Sequence, residues 1–203
     1  MDAEHFLFDM PQPCPQCNLG QMHVYLSALL GIPAALQAAV AEPPRKTKNG
    51  AQATALVKRF GATHKGVLTV SGTNGVGKSR IAASIVLSAY RAEHSAYYVR
   101  LSDLLNGIRA GYKDKDTEER WKQIMGVRVL AIDELMPGDN DWERRDVQRI
   151  ITERYELSMV DCGTVFCTEC DMQEFSGHAY SRLTDKRCTV VHLEGPDLRK
   201  VRE

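Results

Sequence analysis

The stretch GVLTVSGTNGVGKSR, residues 66–80, constrains the fold of this chain more than any other. Val67, Leu68, Thr69 and Val70 form a short apolar run closed by glycine, which predicts a buried strand. Gly72-Thr73-Asn74-Gly75-Val76-Gly77-Lys78-Ser79 fits G-x-x-x-x-G-K-[ST]. KSRIAASIVLSAYRAEH then reads as an amphipathic helix. Strand, glycine loop and helix in that order curl several backbone N–H groups toward one phosphate, and the helix start adds the positive end of its dipole. A glycine turn with an incidental lysine would need neither the strand before it nor the helix after. The loop, with Arg80 next to it, is therefore expected to cradle a nucleoside triphosphate. Lys78 would reach its β- and γ-phosphates, and the Ser79 hydroxyl would hold Mg²⁺.

Further apolar strands separated by helices predict a parallel sheet covered on both faces, an α/β architecture. YYVRL, VRVLAIDEL, GTVFCTEC and RCTVVHLEG are the other candidate strands. NDWERRDVQRIITERYEL reads as a capped helix with Val147, Ile150, Ile151 and Tyr155 on one face. Residues 113–124 are densely charged and read as exposed. AQATALVKRFG suits a helix stopped by Gly61. EPPRKTKNG reads as a linker. The expected organisation is a small unit over 1–42, a linker over 43–50 and a nucleotide-binding domain over 51–203.

VRVLAIDEL ends in Asp133-Glu134. A carboxylate where an apolar strand ends beside the loop can join the Mg²⁺ shell, the role of the Walker B acid, and Asp133 fits it. Glu134 is placed to polarise an attacking water, which favours hydrolysis over transfer to a bound acceptor. An ordinary exposed acid after a strand is the alternative. A small-molecule kinase would need an arginine-rich lid and an acceptor pocket, and neither is evident.

The order of these blocks resembles AAA+ ATPases of the DnaC type, the replicative helicase loaders, and their relatives, the IstB-type transposition helper ATPases. The resemblance is carried by the phosphate loop, then YYVRLSDLLNGIRAGY, VLAIDEL, WERRDVQRIITERYE, GTVFCTEC, AYSRL and CTVVHLEGPDLR, and covers about residues 50–203. It implies a P-loop NTPase domain with a five-stranded parallel sheet, no C-terminal helical lid, and side-by-side assembly. Arg182 in AYSRL matches the arginine that completes a neighbour's site; a surface arginine is the alternative. Arg199 in PDLR matches a second family arginine. Thr168 keeps the hydroxyl of a γ-phosphate-sensing stretch, whereas Cys170 stands where an asparagine is expected. The resemblance further implies ATP hydrolysis in DNA replication and delivery of a helicase to single-stranded DNA; a transposition helper or a nucleotide-gated adaptor that hydrolyses poorly are the other readings.

Lys+Arg and Asp+Glu both number 26, so no polybasic nucleic-acid binder is indicated. Arg109, Lys113, Lys115, Arg120 and Lys122 surround Tyr112, but interspersed acids make a solvated face the better reading. The acidic N-terminus and lack of a long apolar run imply a cytoplasmic protein whose cysteines are not disulfides. Cys14-Pro-Gln-Cys17 has the spacing of a zinc knuckle, with His5 and His23 as the nearest further ligands; a tight turn with two incidental thiols is the alternative. Cys167 and Cys170 read as small core residues. The apolar ALLGIPAALQAAV is either a docking surface for the partner or a helix packed on the core.

Overall fold

The computed structural model describes residues 30–41, 48–111, 115–198 and 200. Five parallel strands, β1 (Gly66–Gly72), β2 (Ala96–Arg100), β3 (Val129–Asp133), β4 (Gly163–Thr168) and β5 (Thr189–Leu193), form one sheet in the order β2-β3-β4-β1-β5. The expected five-stranded parallel sheet is thus present. β1 lies between β4 and β5, with Ser71 opposite Thr168 and His192 at its carboxyl end. The helices are α1 (Ala34–Ala41), α2 (Lys48–Gly61), α3 (Lys78–Arg91), α4 (Leu101–Gly111), α5 (Lys115–Gly126), α6 (Asp141–Val160) and α7 (Gly177–Leu183). Among the described residues, no helix is long and apolar enough to cross a membrane.

Side chains alternate between the two faces of each strand. Leu68, Val70, Val129, Ala131, Val165 and Cys167 pack under α3 with Ile81, Ile85 and Val86. Val67, Leu130, Ile132 and Phe166 pack on the opposite face with Val147, Ile150 and Ile151 of α6. The near-continuous apolar runs follow from this arrangement, because both faces of the sheet are covered. Thr69 is one of several buried polar residues in the strands: its hydroxyl donates to the Leu183 carbonyl at 3.0 Å and ties the end of α7 to β1.

Three expectations change in detail. Residues 30–41, assigned above to the N-terminal unit, lie on the α/β core. Leu30 and Ile32 are buried there, and Gly31 lies against Tyr97 and Tyr98 of β2. Leu36 and Val40 of the same segment pack against that core, partly buried. Lys48, Asn49 and Gly50, assigned to the linker, begin α2. The charged stretch over 113–124 contributes to α5, which buries Trp121 and Met125, four residues apart, among its charges. Cys14, Cys17, His5, His23, Tyr112, Lys113 and Arg199 lie outside the described residues. No group of three or more potential metal ligands occurs among the described residues.

Arg154 of α6 is fully buried, and among the described residues its guanidinium hydrogen-bonds no carboxylate. Its guanidinium donates to the Met125, Val127 and Gly163 carbonyls at 2.6, 2.9 and 2.8 Å and to Thr164 Oγ1 at 3.0 Å. The carbonyls at the end of α5 are the negative pole of that helix, so a cation is well placed there. Burial lowers its pKa to about 10, which still leaves it charged at neutral pH.

Candidate nucleotide site

β1 runs directly into the glycine loop, and the loop ends on α3. Gly77 is the residue before α3, with φ 107°, and no side chain caps the helix. A left-handed φ is costly for residues other than glycine, and here it turns the chain into the helix axis. The first-turn N–H groups are left without a side-chain acceptor, and no acidic residue stands in that turn. That is the donor set an anion requires. An ideal Cβ on Gly77 would meet nothing within 4 Å, so the space beside it is open.

Thr73 and Asn74 are exposed at the loop's tip, while Val76 is buried and anchors the loop to the core. Ser79 and Arg80 occupy the first turn of α3, half-buried. Lys78 Nζ donates to the carbonyls of Gly72 and Thr73 at 2.7 and 2.8 Å, bracing the loop from within. Gly75 meets a distant segment: Leu198 N donates to its carbonyl at 3.0 Å, and a Cβ there would lie 1.8 Å from Asp197 Oδ1.

The acidic pair stands where β3 ends. Asp133 is buried, and the Tyr98 hydroxyl of β2 donates to its Oδ2. Burial, then the Asp133 charge, raises the Tyr98 pKa, so the phenol keeps its proton and is the donor. Glu134 has φ 55°, an uncommon conformation for a residue with a side chain. Its carboxylate turns outward, 62% exposed, with Arg100 Nε 3.7 Å away. Leu135 N donates to the Cys167 carbonyl at 2.8 Å, which holds this turn against β4. Local strain of this kind concentrates at functional sites.

On β4, Thr168 is buried, and its Oγ1 accepts from Cys170 N at 3.1 Å. Cys170 is half-buried with its thiol against Met136 Sδ at 3.2 Å. Cys167 lies under α3, 3.6 Å from the Lys78 carbonyl, and burial raises its pKa well above that of a free thiol. Both serve packing, with Cys167 the fully enclosed one.

Arg182, on α7, donates to the His178 carbonyl at 3.2 Å and lies 5.9 Å from the centre of the Tyr155 ring. Its Nε is buried with no hydrogen-bond partner among the described residues. Among the described contacts it makes none with loop residues 72–79, unlike Lys78. Arg109 is occupied by Glu143 at 2.5 Å and by the Trp142 ring at 4.5 Å, and Lys122 by Glu118 at 2.8 Å. These pairings suit a solvated face.

Tyr98, Arg100, His192, Asp197 and Leu198 escaped the sequence reading. His192 Nδ1 lies 3.0 Å from Ser71 Oγ just ahead of the loop. Strand pairing places Arg100 opposite Asp133, a signal available only once the strand order is known. The donor set suits a magnesium–nucleotide complex: uncapped N–H groups, a lysine and a serine at the helix start, and a buried carboxylate at the end of β3, one strand beyond β1's neighbour β4.

Comparison with known proteins agrees with this geometry. The model of the IstB-like ATP binding protein family matches residues 55–189. A Bacillus thuringiensis subsp. berliner protein, named as an ATP-binding protein of insertion sequence IS232, is 32% identical over 87 residues, 42% of this chain and 34% of its own. The chain thus spans about a third of the length of that curated relative. The crystal structure of the DnaC helicase loader has a TM-score of 0.63 at 18% identity, covering 73% of this chain and 92% of its own. The crystal structure of DnaI has a TM-score of 0.59 at 24% identity, covering 78% and 88%. At those identities the likeness is one of fold. With a family model matched across about two thirds of its length and a phosphate loop built as described, the chain belongs to the IstB-like ATP-binding protein family.

Proposed function

We propose that this chain is a cytoplasmic Mg²⁺-dependent ATPase that delivers a replicative helicase to single-stranded DNA during replication. The observation that carries hydrolysis is the pair at the end of β3: a buried Asp133 held by Tyr98, followed by an outward-facing Glu134 on a strained turn. Ser79 and Asp133 would hold the metal. When bound, Mg²⁺ supplies charge neutralisation between the β- and γ-phosphates. Gly72 through Ser79, with Arg80, would surround the phosphates, and Lys78 would exchange its two loop carbonyls for phosphate oxygens. Glu134 would accept a proton as the water oxygen bonds to the γ-phosphorus. The bond from that phosphorus to the β-bridging oxygen breaks, releasing ADP and phosphate. Thr168 would donate its hydroxyl proton toward the γ-phosphate. Arg182 would act on a neighbouring copy, through self-association of the α7 face, where its charge offsets that of the transferring group.

The block order is common to both branches of the resemblance, and the CxxC-bearing N-terminal segment, with Cys14 and Cys17, is what tilts the reading toward the helicase. The contact is assigned to the segment ahead of residue 30, with Cys14 and Cys17 as two zinc ligands. A transposase is the second reading, favoured by the relative named for an insertion sequence. Phosphate release is expected to rise with single-stranded DNA and with the cognate partner. Capture on immobilised replicative helicase, with transposase in a parallel arm, decides between the two. Binding to transposase alone would overturn the helicase assignment, and ATP binding without phosphate release in any arm would overturn hydrolysis.

A further inference from the structure

We infer that Tyr98 is a positioning residue for the magnesium–nucleotide complex: its phenol fixes the Asp133 carboxylate so that one oxygen is committed and the other faces the metal's shell. The inference rests on the nucleotide-site reading above. Tyr98 and Asp133 are 2% and 3% exposed, so water does not compete for their hydrogen bond. They stand on neighbouring strands, and strand pairing sets Tyr98 beside Ala131, two residues before Asp133. The ring therefore leans along the sheet by one side-chain repeat to reach the carboxylate. Its body packs in the apolar cluster under α3 with Ala131 and Cys167. A phenylalanine would fill that volume equally well. The hydroxyl adds a buried polar atom whose desolvation is offset only by a hydrogen bond, and Asp133 accepts it.

An aspartate's last torsion is broad, so an unheld carboxylate can rotate and exchange its oxygens. With Oδ2 taken by the phenol, that rotation is blocked. Partners that orient a ligating carboxylate typically change metal affinity 10- to 100-fold when lost. Tyr98 acts through Asp133 and does not itself touch the nucleotide.

The test is Tyr98→Phe in the full chain, followed by binding of a fluorescent ATP analogue across a Mg²⁺ titration. Affinity in chelator should stay within about twofold of the unsubstituted chain, while the Mg²⁺ midpoint rises about tenfold. Asp133→Asn should raise the midpoint at least as far, and adding Tyr98→Phe to it should raise it no further, because both act through one carboxylate. A Tyr98→Phe chain with an unchanged Mg²⁺ midpoint overturns the inference, even if its Tm falls, since that is the signature of packing alone. Additive effects in the double variant overturn it as well. Should Tyr98→Phe melt below the assay temperature, tyrosines labelled with ¹³C at Cζ put the question to the unsubstituted chain. The resonance that moves in Asp133→Asn must also move when Mg²⁺ is added to the ATP-bound chain, and indifference to Mg²⁺ overturns the inference. Binding of ATP that ignores Mg²⁺ in the unsubstituted chain would instead overturn the site reading beneath it.

Discussion

Glu134 combines an outward carboxylate with a φ of 55°, so its side chain contributes little to the core and its value lies in where it points. Glu134→Gln keeps the shape and removes the base. It should bind ATP with unchanged affinity and hydrolyse it roughly 10²- to 10⁴-fold more slowly, read as single-turnover phosphate release. Asp146 of α6 presents a different problem. It is 8% exposed, and its Oδ2 has no hydrogen-bond partner among the described residues. Burial raises its pKa, against the opposing charges of Arg149, Arg145 and Arg109. The folded chain therefore bears a cost for the carboxylate that is present in full above the raised pKa. The cost fades as pH falls toward the ordinary aspartate value of about 3.9. Asp146→Asn should raise Tm at neutral pH, and the gain should shrink as melts are repeated at lower pH. The placement of Lys78, Asp133 and Glu134 at the loop end and strand end was legible because loop spacing and strand ends are local patterns. The contacts of Tyr98 with Asp133 and of Arg100 with Glu134 were not, because each depends on which strand becomes its neighbour.

β1, β3 and β4 could be read from sequence because a strand buried on both faces is a nearly unbroken apolar run. α5 shows the converse. Its abundant lysines and glutamates concealed a two-residue apolar stripe, Trp121 and Met125, that docks it. The end of α5, the middle of α6 and the start of β4 meet at Arg154, which serves acceptors from the α5 end and from β4. Arg154→Met would fill most of that volume but strand the carbonyls it satisfies. An unsatisfied buried acceptor costs about 1–3 kcal/mol, and partial hydration would relieve some of the total. We expect a loss of roughly 3 kcal/mol in urea unfolding, with the ATP affinity of the still-folded fraction unchanged, because the residue sits at the end of the sheet away from the phosphate loop.

At the scale of the molecule, the loop, the acidic strand end and the α7 arginine do not all converge within one chain. Arg182 leans on Tyr155 and His178 instead. Arg182→Ala should leave ATP affinity unchanged at low protein concentration and abolish the rise in specific ATPase activity on assembly. Mixing it with Glu134→Gln should restore part of that activity, because one copy supplies the arginine and its neighbour an intact acid. Such long-range arrangement is the part least legible in the sequence. Gly75 and Leu198 are separated by most of the domain, and nothing in either local stretch announces that they touch. That contact ties the glycine-rich bend to the stretch of chain that follows β5. A protease nick between Leu193 and Asp197 would therefore spare the five-stranded scaffold yet slacken its grip, so robustness against unfolding and strength of nucleotide retention are separable properties of this molecule.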